Sequence, residues 1–579
     1  MSILTKIYIC GKMVKNSRRS FMNIYLKDFL NYAQNEDMTL PVLMAVNRLS
    51  DGDTLCLGGG ELHFYPEYAF KKEYFISNND YSLKPIAFPL IGKKNITVDG
   101  EGAKLVFHGK ISPFVVDGCE DITLKGFEID YAEPMYFEAK ITCAEENFVE
   151  MEFDESQFHC EILGDKFRFY GEGWENVTPR VLVNEFDPAY KGPTHSTPTY
   201  FACITDQKNM TFMSGLYRYL KASQPKPNVI RLEGEILHKH QVGKYWLCTH
   251  TDRKHPGIFV TESKNINLAN IKLTHTISMG VICQLTENIT LDGVSALPGE
   301  GRMLSVAADA THFVNCFGLI HLRDCRFESM MDDVGNFHGI YMPVKKKLDE
   351  NRVMLYFGHP QQAGINIFRK GDKIRIADNE SLIQYADFTV KSSTLVSDKY
   401  VILETEEKLP ETLPEGHVFE NYTRMPEVHI ENCRCGYNRP RGWLISTCKR
   451  AVIENCTFYN LSYAIDMAGD ANSWYESGPC TEVIIRNNNF DNAAYNGGPV
   501  IMGDPQIRKH TGKPYHSGIV IEDNTFRLHE RRILDLLSFG NVVFKNNKFV
   551  QDDSLPSHKI TGEDGYRFRE CENLDIEKV

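Results

Sequence analysis

The sequence predicts an all-β protein built on a parallel β-helix, a solenoid of stacked coils, with two small antiparallel β modules inserted into it. The first observation is a segment that recurs toward the C-terminal end, in which an alternating apolar strand is followed by Asn or Asp, then by Asn or Cys, and usually by Phe. The copies read VHIENC, AVIENCTF, VIIRNNNF, IVIEDNTF and VVFKNNKF. The second observation is that the turn stays fixed while the spacing between copies varies, which is typical of a β-helix because extra residues leave the stack as loops.

The copies share one strict register. Their equivalent apolar residues are separated by 23, 32, 36 and 23 residues. Coils that stack about 4.8 Å apart align like residues into ladders, so Phe packs on Phe inside the solenoid and Asn supplies hydrogen bonds to the turns. Cysteines at ladder positions, such as Cys433 and Cys435, are therefore expected to be small buried residues without a redox or metal role. The equivalent apolar residues are Ile430, Ile453, Ile485, Ile521 and Phe544.

The other elements follow from where this repeat is weak or absent. Weaker copies toward the N-terminal end, such as NITVDG and NITLDGV, extend the solenoid. Two stretches lack the repeat and alternate like ordinary antiparallel strands, as in KFRFYGEG and KYVILETEE. Leu40–Leu49 is helix-like and is expected to cap the first rung, since an uncovered rung is an exposed sheet edge. The predicted order is an N-terminal segment and cap (1–60), first rungs (61–134), an inserted module (135–255), central rungs (256–345), a second module (346–425), C-terminal rungs (426–555) and a tail (556–579).

The composition excludes several classes of protein. Hydrophobic residues make up 42% of the 579 residues and charged residues 24%, which supplies enough apolar surface for a large core and excludes a disordered chain. Apolar runs such as Val42–Val46 are far shorter than the roughly 20 residues that span a bilayer, so no membrane partner is expected. The net charge of -13 and the absence of long basic runs exclude nucleic acid as a partner. A homodimer is compatible with these features.

The cysteines and the N-terminal segment indicate a reducing compartment. The sixteen cysteines form no C-x-x-C pair and no Cys/His pattern of a zinc site, so free buried thiols are expected. Met1–Cys10 contains one lysine and no small-residue cleavage site, which makes it a poor secretory signal. We therefore expect a cytoplasmic protein. A start at Met22 is also compatible, because the globular pattern begins only after it.

The richest stretch for chemistry runs from Arg302 to Tyr341. Asp332 follows Asp309 by 23 residues, the shortest coil period, so the two carboxylates are expected at equivalent positions on adjacent rungs. Two carboxylates that close repel each other, which raises the pKa of one and suits general acid and general base catalysis. Asp333 can join them only if a turn or bulge intervenes, which Gly335 permits. Adjacent aspartates are also common in surface turns, and stacked carboxylates can bind calcium, so the residues alone leave these readings open.

A second candidate region is DANSWYESG, which starts at Asp470. It combines an aromatic face that can stack on a sugar with short polar side chains for the sugar hydroxyl groups. A lone tryptophan such as Trp474 is more often a packing residue. Arg253, which precedes another rung, is equally compatible with a substrate clamp and with a solvated loop.

Three of these stretches carry a resemblance to a known family. At ADATHF, MMDDVGNFHGIY and GDANSWYESGP the chain resembles glycoside hydrolase family 110, the bacterial α-1,3-galactosidases that remove terminal galactose from blood group B and linear α-galactosyl structures. EYFISNND, NITVDGEGAKLVFHG, HPGIFV and PRGWLIST support the resemblance, which runs in order over roughly residues 50–550. It implies an exo-acting, metal-independent, inverting enzyme on a right-handed parallel β-helix.

The resemblance places the family's catalytic aspartates on Asp309, Asp332 and Asp333, without assigning the acid and the base. Inversion requires carboxyl groups about 6.5–9.5 Å apart, and a pair stacked on adjacent rungs would lie near or below the lower limit. Either the pair splays apart or the working pair includes Asp333. The predicted substrate-binding residues are His312, Asn336, His338, Arg253, Asp470, Asn472, Trp474 and Glu476, with an oligosaccharide as partner and no metal or cofactor.

Members of this family are usually exported, whereas this chain lacks a convincing signal, so an imported oligosaccharide is the expected substrate. Two other functions remain compatible with the sequence. One is hydrolysis of another terminal α-glycoside on the same fold. The other is carbohydrate binding without catalysis, as in a tailspike β-helix.

Overall fold

The computed structural model describes residues 21–195, 199–204, 217–234, 240–249, 253–555 and 565–579. The region used above to judge a secretory signal, Met1–Cys10, lies outside these residues. Nearly all regular structure in the described part is β-strand, arranged in two long, mainly parallel sheets with two inserted β modules. The predicted fold class, a parallel β-helix with two antiparallel insertions, is confirmed.

The longer sheet contains 21 strands in the described part of the chain, and all its pairings are parallel. It stacks the repeated segments on one another. Its strands are Asn23–Tyr25, Thr54–Cys56, Glu61–Phe64, Lys94–Phe107, Glu120–Tyr131, Lys264–Leu273, Glu287–Asp292, Ser295–Ala296, Phe317–Arg323, Arg326–Glu328, Pro426–Glu431, Arg434–Gly436, Arg450–Glu454, Thr457–Tyr459, Glu482–Arg486, Asn489–Asp491, His516–Glu522, Thr525–Leu528, Phe539–Lys545, Lys548–Gln551 and Glu572–Ile576.

The second sheet contains 13 strands in the same described ranges and is parallel except where Phe70–Ile76 and Glu476–Ser477 pair antiparallel with it. It carries the candidate site. Its strands are Phe70–Ile76, Asp80–Ile91, Ser112–Asp117, Ile258–Thr261, Val281–Gln284, Thr311–Val314, Gly335–Ile340, Trp443–Ile445, Ile465–Met467, Glu476–Ser477, Ile501–Gly503, Leu534–Leu537 and Tyr566–Arg569.

The predicted ladder register is confirmed. The five apolar positions pair in sequence, from Ile430 with Ile453 through to Ile521 with Phe544. The rings of successive phenylalanines stack inside the coil, with centroids 4.7 Å apart between Phe490 and Phe526. The residues two positions after the apolar residue all adopt a left-handed backbone with φ between 55° and 58°, which Asn and Asp tolerate better than other non-glycine residues. They are Asn432, Asn455, Asn487, Asp523 and Asn546.

The next position holds a buried asparagine in three of the five repeats, and the middle one, Asn524, bonds three rungs together. Asn524 Oδ1 accepts a hydrogen bond from the backbone N–H of Asn488 at 2.9 Å, and its Nδ2 donates to the carbonyl oxygen of Ile485 at 2.9 Å. The backbone N–H of Asn524 in turn donates to Asn547 Oδ1 at 3.0 Å. The hydrogen bonds expected from Asn therefore come from these buried residues, while the preceding residue makes the turn.

Replacing Asn524 with Ala is expected to lower the free energy of unfolding by about 1–3 kcal/mol, because it leaves a buried N–H and a buried carbonyl without partners. Urea denaturation measures this change. Asp523→Asn, at the exposed turn position beside it, keeps a side chain that tolerates the left-handed backbone and should stay within about 0.5 kcal/mol. Equal losses in the two variants would contradict the ladder's role.

The cysteines pack as expected in the described residues. All fifteen cysteines found there are free thiols, and twelve are buried. Cys433 Sγ lies 3.3 Å from the carbonyl oxygen of Glu431, and Cys456 Sγ lies 3.2 Å from that of Glu454. Each thiol thus donates a weak hydrogen bond within its own turn, as a small core residue does.

The first insertion leaves the solenoid after Tyr131 and returns at Ile258. Its core is aromatic and includes Phe137, Phe169 and Trp246. Its strands form an antiparallel sheet, to which one parallel pair is added, and a separate three-stranded sheet: Phe137–Ala144, Phe148–Glu152, Cys160–Leu163, Lys166–Gly171, Trp174–Thr178, Arg180–Asp187, Gly192–Pro193, Tyr200–Cys203, Tyr217–Tyr219, Lys221–Lys226, Val229–Glu233 and Tyr245–Thr249.

The second insertion is a six-stranded antiparallel barrel between Ile340 and Pro426. It has its own apolar core, which includes Val344, Ile374 and Phe419. The chain then resumes the solenoid so that Trp443 pairs with Gly335, as though the barrel were absent. The barrel strands are Met342–Lys347, Arg352–Tyr356, Lys373–Ala377, Gln384–Leu395, Tyr400–Thr405 and Val418–Asn421.

Helices are few in the ranges that the structure describes. The α-helix Thr39–Arg48 turns Val42, Ala45 and Val46 into the core of the first rungs, which agrees with its predicted helical pattern. Leu26–Tyr32 and Pro360–Gln362 form short 3₁₀ helices. Within the described part of the chain, no helix has the length and apolar character needed to cross a membrane.

Candidate active site

The three predicted catalytic aspartates lie at the N-terminal ends of two adjacent strands of the second sheet. Asp309 precedes Thr311–Val314, and Asp332 and Asp333 precede Gly335–Ile340. Thr311 lies opposite Gly335, an offset of 24 residues, and this register places Asp309 opposite Asp333. The predicted pairing of Asp309 with Asp332 is therefore wrong by one residue, because the offset between these two strands is 24 residues and not the 23 taken from the repeat.

A turn before Gly335 allows both neighbouring aspartates to join one cluster, as expected. Residues 331–334 are not part of a strand, so the alternation of side chains does not apply to them. A Cβ atom on Gly335 would lie 2.4 Å from Thr311 Oγ1 and 2.4 Å from the Trp443 ring. Glycine is thus required at this close contact between rungs.

Asp332 is the most exposed of the three carboxylates and faces arginines from two directions. Arg253, at the end of the first insertion, forms an ion pair with Asp332 Oδ2, and Arg439 Nη2 lies 3.7 Å from Oδ1. Burial favours the protonated form, but the guanidinium groups of Arg253, Arg439 and Arg441 lower the pKa of Asp332 below its ordinary value. Asp332 is therefore the carboxylate of the trio that is ionised most readily.

Asp333 is buried against Arg441, which comes from the rung after the barrel. Arg441 donates from Nε to Oδ1 at 3.0 Å and from Nη2 to Oδ2 at 2.7 Å, a bidentate pair. Burial raises the pKa of Asp333, and the charges of Asp332 and Asp309 raise it further against the effect of Arg441. Nη1 of Arg441 also lies 3.5 Å from Asp466, and burial raises the pKa of Asp466 to about 7.

Asp309 is buried and contacts His312, which in turn contacts His338. Its Oδ2 lies 2.6 Å from Nδ1 of His312, and Nε2 of His312 lies 2.9 Å from Nε2 of His338. Burial, together with the charge of Asp332, raises the pKa of Asp309, whereas burial lowers the pKa values of both histidines. Each histidine is 1% exposed. This burial favours a supporting role behind Asp309 over the substrate contact predicted for His312 and His338.

Glu476 connects the histidines to the cavity described below. Its Oε1 lies 3.6 Å from Nε2 of His338 and accepts a hydrogen bond from Asn78 Nδ2 at 2.7 Å. Asn336 Nδ2 donates to Glu476 Oε2 at 3.3 Å. Burial favours the protonated form of Glu476, but His338, His312 and Arg441 lower its pKa below the ordinary value.

A cavity of about 370 Å³ adjoins this cluster. Its wall contains groups of both kinds that a sugar site needs, charged side chains and an aromatic ring. Trp474 is 44% exposed, its ring centroid lies 4.4 Å from that of His359, and its carbonyl oxygen accepts a hydrogen bond from Gln362 of the barrel insertion at 2.6 Å. The polar and aromatic lining includes Arg441, Tyr463, Asp466, Asp470, Trp474 and Glu476.

Two residues of the DANSWYESG segment have structural partners. Asp470 lines the cavity, but its Oδ1 accepts hydrogen bonds from the backbone N–H groups of Asn472 and Ser473 and so shapes the turn. Asn472 Nδ2 donates to the carbonyl oxygen of Asn379 in the barrel at 2.7 Å. This contact anchors the turn to the barrel and does not support the substrate contact predicted for Asn472.

The sequence interpretation did not include several residues that the structure adds to the site. Arg441 lies in PRGWLIST, a segment quoted above for the resemblance. Its pairing with Asp333 could not be seen in the sequence, because the barrel insertion separates two strands that are neighbours in the sheet. Asp466 lies two rungs beyond Asn336 in the same ladder, with Leu444 on the rung between them. Asn78 comes from the start of the chain, far from the repeats that identified the site.

Two family models match the inserted modules of this chain. Residues 137–245 match the family model described as GLAA-B beta-barrel domain I, and residues 352–418 match GLAA-B beta-barrel domain II. Among solved structures, the chain is similar to the family 28 exopolygalacturonase of Yersinia enterocolitica, with a TM-score of 0.45, 10% sequence identity, and coverage of 97% of this chain and 80% of that one.

The chain is also similar over most of its length to named relatives. It is 33% identical to alpha-1,3-galactosidase A of Shewanella woodyi over 555 residues, which cover 94% of this chain and 89% of the relative. It is 30% identical to alpha-1,3-galactosidase B of Bacteroides thetaiotaomicron, over 91% of this chain and 85% of the relative. The chain therefore belongs to the α-1,3-galactosidase family, glycoside hydrolase family 110.

Proposed function

We propose that this protein is an exo-acting glycoside hydrolase that removes terminal α-1,3-linked galactose from oligosaccharides with inversion at C1. The observation that carries the proposal is the cluster of Asp309, Asp332 and Asp333, set against Arg253 and Arg441 beside a cavity of about 370 Å³. A cavity of this size suits one or two sugar rings. Membership of the α-1,3-galactosidase family supports galactose as the sugar.

Inversion requires one carboxylic acid and one carboxylate. The acid gives its proton to the glycosidic oxygen as the bond from that oxygen to C1 breaks, and the carboxylate takes a proton from water, whose oxygen bonds to C1 from the opposite face. The products are β-galactose and the shortened oligosaccharide. Arg253 and Arg439 favour an ionised Asp332, while burial favours protons on Asp309 and Asp333, so the three environments separate the pKa values as this chemistry needs.

Sugar binding is supported by two buried oxygen atoms that lack a hydrogen-bond partner among the described residues. Asp466 Oδ1 and Asn336 Oδ1 are buried and make no hydrogen bond with any described residue. A buried oxygen without a partner is costly, and a sugar hydroxyl can supply the missing hydrogen. Trp474 offers an exposed ring face on which the apolar side of galactose can stack.

The proposal is tested by incubating the full chain, with a chelator present, with Galα1-3Gal disaccharide and with the fucosylated B trisaccharide. We expect free galactose that appears first as the β-anomer in proton NMR, at a rate that the chelator does not change. Initial α-anomer would contradict inversion. A folded enzyme that releases galactose from neither substrate would contradict the sugar assignment, and an unsaturated product absorbing in the ultraviolet would indicate a lyase.

We also propose that the substrate is an oligosaccharide encountered in a reducing, cytoplasmic compartment. The fifteen free cysteines of the described residues support this, because oxidising compartments favour disulfides. Fractionating native cells tests it: activity in the cytoplasmic fraction is expected, and activity in the medium would contradict it.

A further inference from the structure

A chain of hydrogen bonds runs from Asp309 through two buried histidines to the backbone. It begins with the 2.6 Å contact between Asp309 Oδ2 and His312 Nδ1 and continues with the 2.9 Å contact between the Nε2 atoms of His312 and His338. It ends with a 2.7 Å contact between His338 Nδ1 and the carbonyl oxygen of Gly339. All three side chains are more than nine-tenths buried, so water does not substitute for a missing hydrogen-bond partner.

The geometry of this hydrogen-bond chain fixes how many hydrogens it holds. A carbonyl oxygen only accepts, so Nδ1 of His338 carries a hydrogen, and in a neutral ring its Nε2 is then an acceptor. Nε2 of His312 must therefore donate, which leaves Nδ1 of a neutral His312 as an acceptor. The contact with Asp309 then requires a hydrogen on the carboxyl oxygen. Three contacts need three hydrogens, whereas an ionised aspartate and two neutral histidines supply only two.

We propose that the chain of Asp309, His312 and His338 stores one extra proton, and that the two histidines are positioning residues that keep this proton on Asp309 in the resting enzyme. The stored proton is a property of the folded protein, while its use in glycoside cleavage rests on the proposed function. With Asp309 neutral, the aspartate trio carries at most two negative charges, which the guanidinium groups of Arg253 and Arg441 can balance.

The groups around the chain favour the carboxyl oxygen as the place of the proton. Burial and the charge of Asp332 raise the pKa of Asp309, opposed by Arg253 and Arg441. On the histidine side, burial lowers the pKa of His312 and the charge of Arg253 acts in the same direction.

The acidic neighbours of the histidines favour a proton on the imidazole rings. Glu476, Asp333 and Asp332 raise the pKa of His312, but burial and the charge of Arg253 together lower it by more. Glu476 Oε1 lies 3.6 Å from His338 Nε2, and the Glu476 carboxylate accepts hydrogen bonds from Asn78 and Asn336. Moving the proton toward the histidines would therefore create a buried imidazolium, which the surroundings disfavour.

Infrared spectroscopy tests the stored proton without any substrate. The difference spectrum between the wild type and Asp309→Asn at neutral pH should contain the carbonyl band of one protonated carboxyl group. In His338→Gln, whose amide group can donate to His312 and so allow a hydrogen on Nδ1 facing an ionised Asp309, the pH at which this band disappears should fall by about one unit or more. A wild type without the band, or an unchanged midpoint in His338→Gln, would overturn the proposal.

The pH dependence of activity tests the use of the proton. The alkaline limb of the kcat profile should move to lower pH in His338→Gln, with KM changed less than twofold, because the histidine does not touch the sugar. His240→Gln is the matched control: His240 is also buried and lies between Glu185 and Tyr200, but in the first insertion. It should leave the pH profile unchanged. A parallel loss of activity at all pH values in His338→Gln would indicate a structural role alone.

A second variant and the infrared result distinguish the ways in which these experiments could fail. If His338→Gln does not fold, as judged by thermal unfolding, His312→Gln should produce the same downward shift, since its amide can donate directly to an ionised Asp309. If the wild type releases no galactose, the proposed function fails, but the infrared result still decides whether Asp309 holds a proton. Absence of the band in an active wild type would reject the stored proton while leaving the hydrolase assignment intact.

Discussion

Replacing Asp332 with Asn is expected to lower kcat for release of galactose from Galα1-3Gal by about 10³-fold or more. General acid or base catalysis contributes about 10²- to 10⁴-fold, and asparagine can do neither at this site. Asp309→Asn and Asp333→Asn should each cause a loss of similar size, and a double variant should lose little more, because residues that act as a unit are not additive. Initial rates with KM determined separately measure these losses.

The same variants also assign the acid and the base. An aryl α-galactoside with a good leaving group needs little protonation of its oxygen, so the acid variant should recover most of its rate on that substrate and the base variant should not. Asp130→Asn is a matched control, because Asp130 is also a mostly buried carboxylate that accepts from an arginine, Arg302, at 2.7 Å. It should keep the wild-type kcat. Loss of kcat in this control, or full activity in all three site variants, would contradict the catalytic assignment.

Replacing Arg441 with Ala is expected to lower the free energy of unfolding by about 3–5 kcal/mol at pH 8, because it leaves the buried carboxylate of Asp333 without its bidentate partner. Removing the guanidinium raises the pKa of Asp333 further above its value in the unfolded chain. The deficit should therefore shrink as the pH falls and Asp333 takes up a proton. Denaturant unfolding at pH 5 and pH 8 measures both effects.

A double variant and a surface pair control this experiment. Arg441→Ala combined with Asp333→Asn should recover part of the lost stability, since the uncompensated charge is gone. Arg323→Ala removes the partner of Asp292 in a pair whose side chains are 46% and 33% exposed, and it should cost at most about 1 kcal/mol. An Arg441→Ala variant that is destabilised equally at both pH values would show that packing, not charge compensation, is the main role of Arg441.

The repeat made the solenoid predictable from the sequence, because stacking forces like residues into line. Ile430, Ile453 and Ile485 have equivalent positions in the sequence pattern and in the structure. The same reasoning paired Asp309 with Asp332, one residue away from its actual neighbour, Asp333. Period arithmetic assumes that every coil has the length of its neighbours, whereas a β-helix places loops of any length between strands.

The composition of the site was predictable in part. Asp309, Asp332 and Asp333 lie close together along the chain and were found through their spacing and the family motifs. The partner of Asp333, Arg441, could not be found in this way, because the barrel separates them in sequence and only strand pairing shows that they meet. The burial of His338 was likewise hidden, since a strand pattern does not say whether an outward side chain is covered by another segment, here the one that carries Glu476.

The position of the barrel has a consequence for how this enzyme matures on the ribosome. Asp333 is synthesised before the barrel strands and Arg441 after them, so a nascent chain that ends within the barrel carries a carboxylate whose counterion does not yet exist. The preceding rungs can stack as they emerge, since each contacts mainly its neighbours. The charge pair, by contrast, closes only when the chain beyond the barrel has left the tunnel. Truncated products that stop inside the barrel should therefore contain an ordered N-terminal solenoid but no catalytic centre.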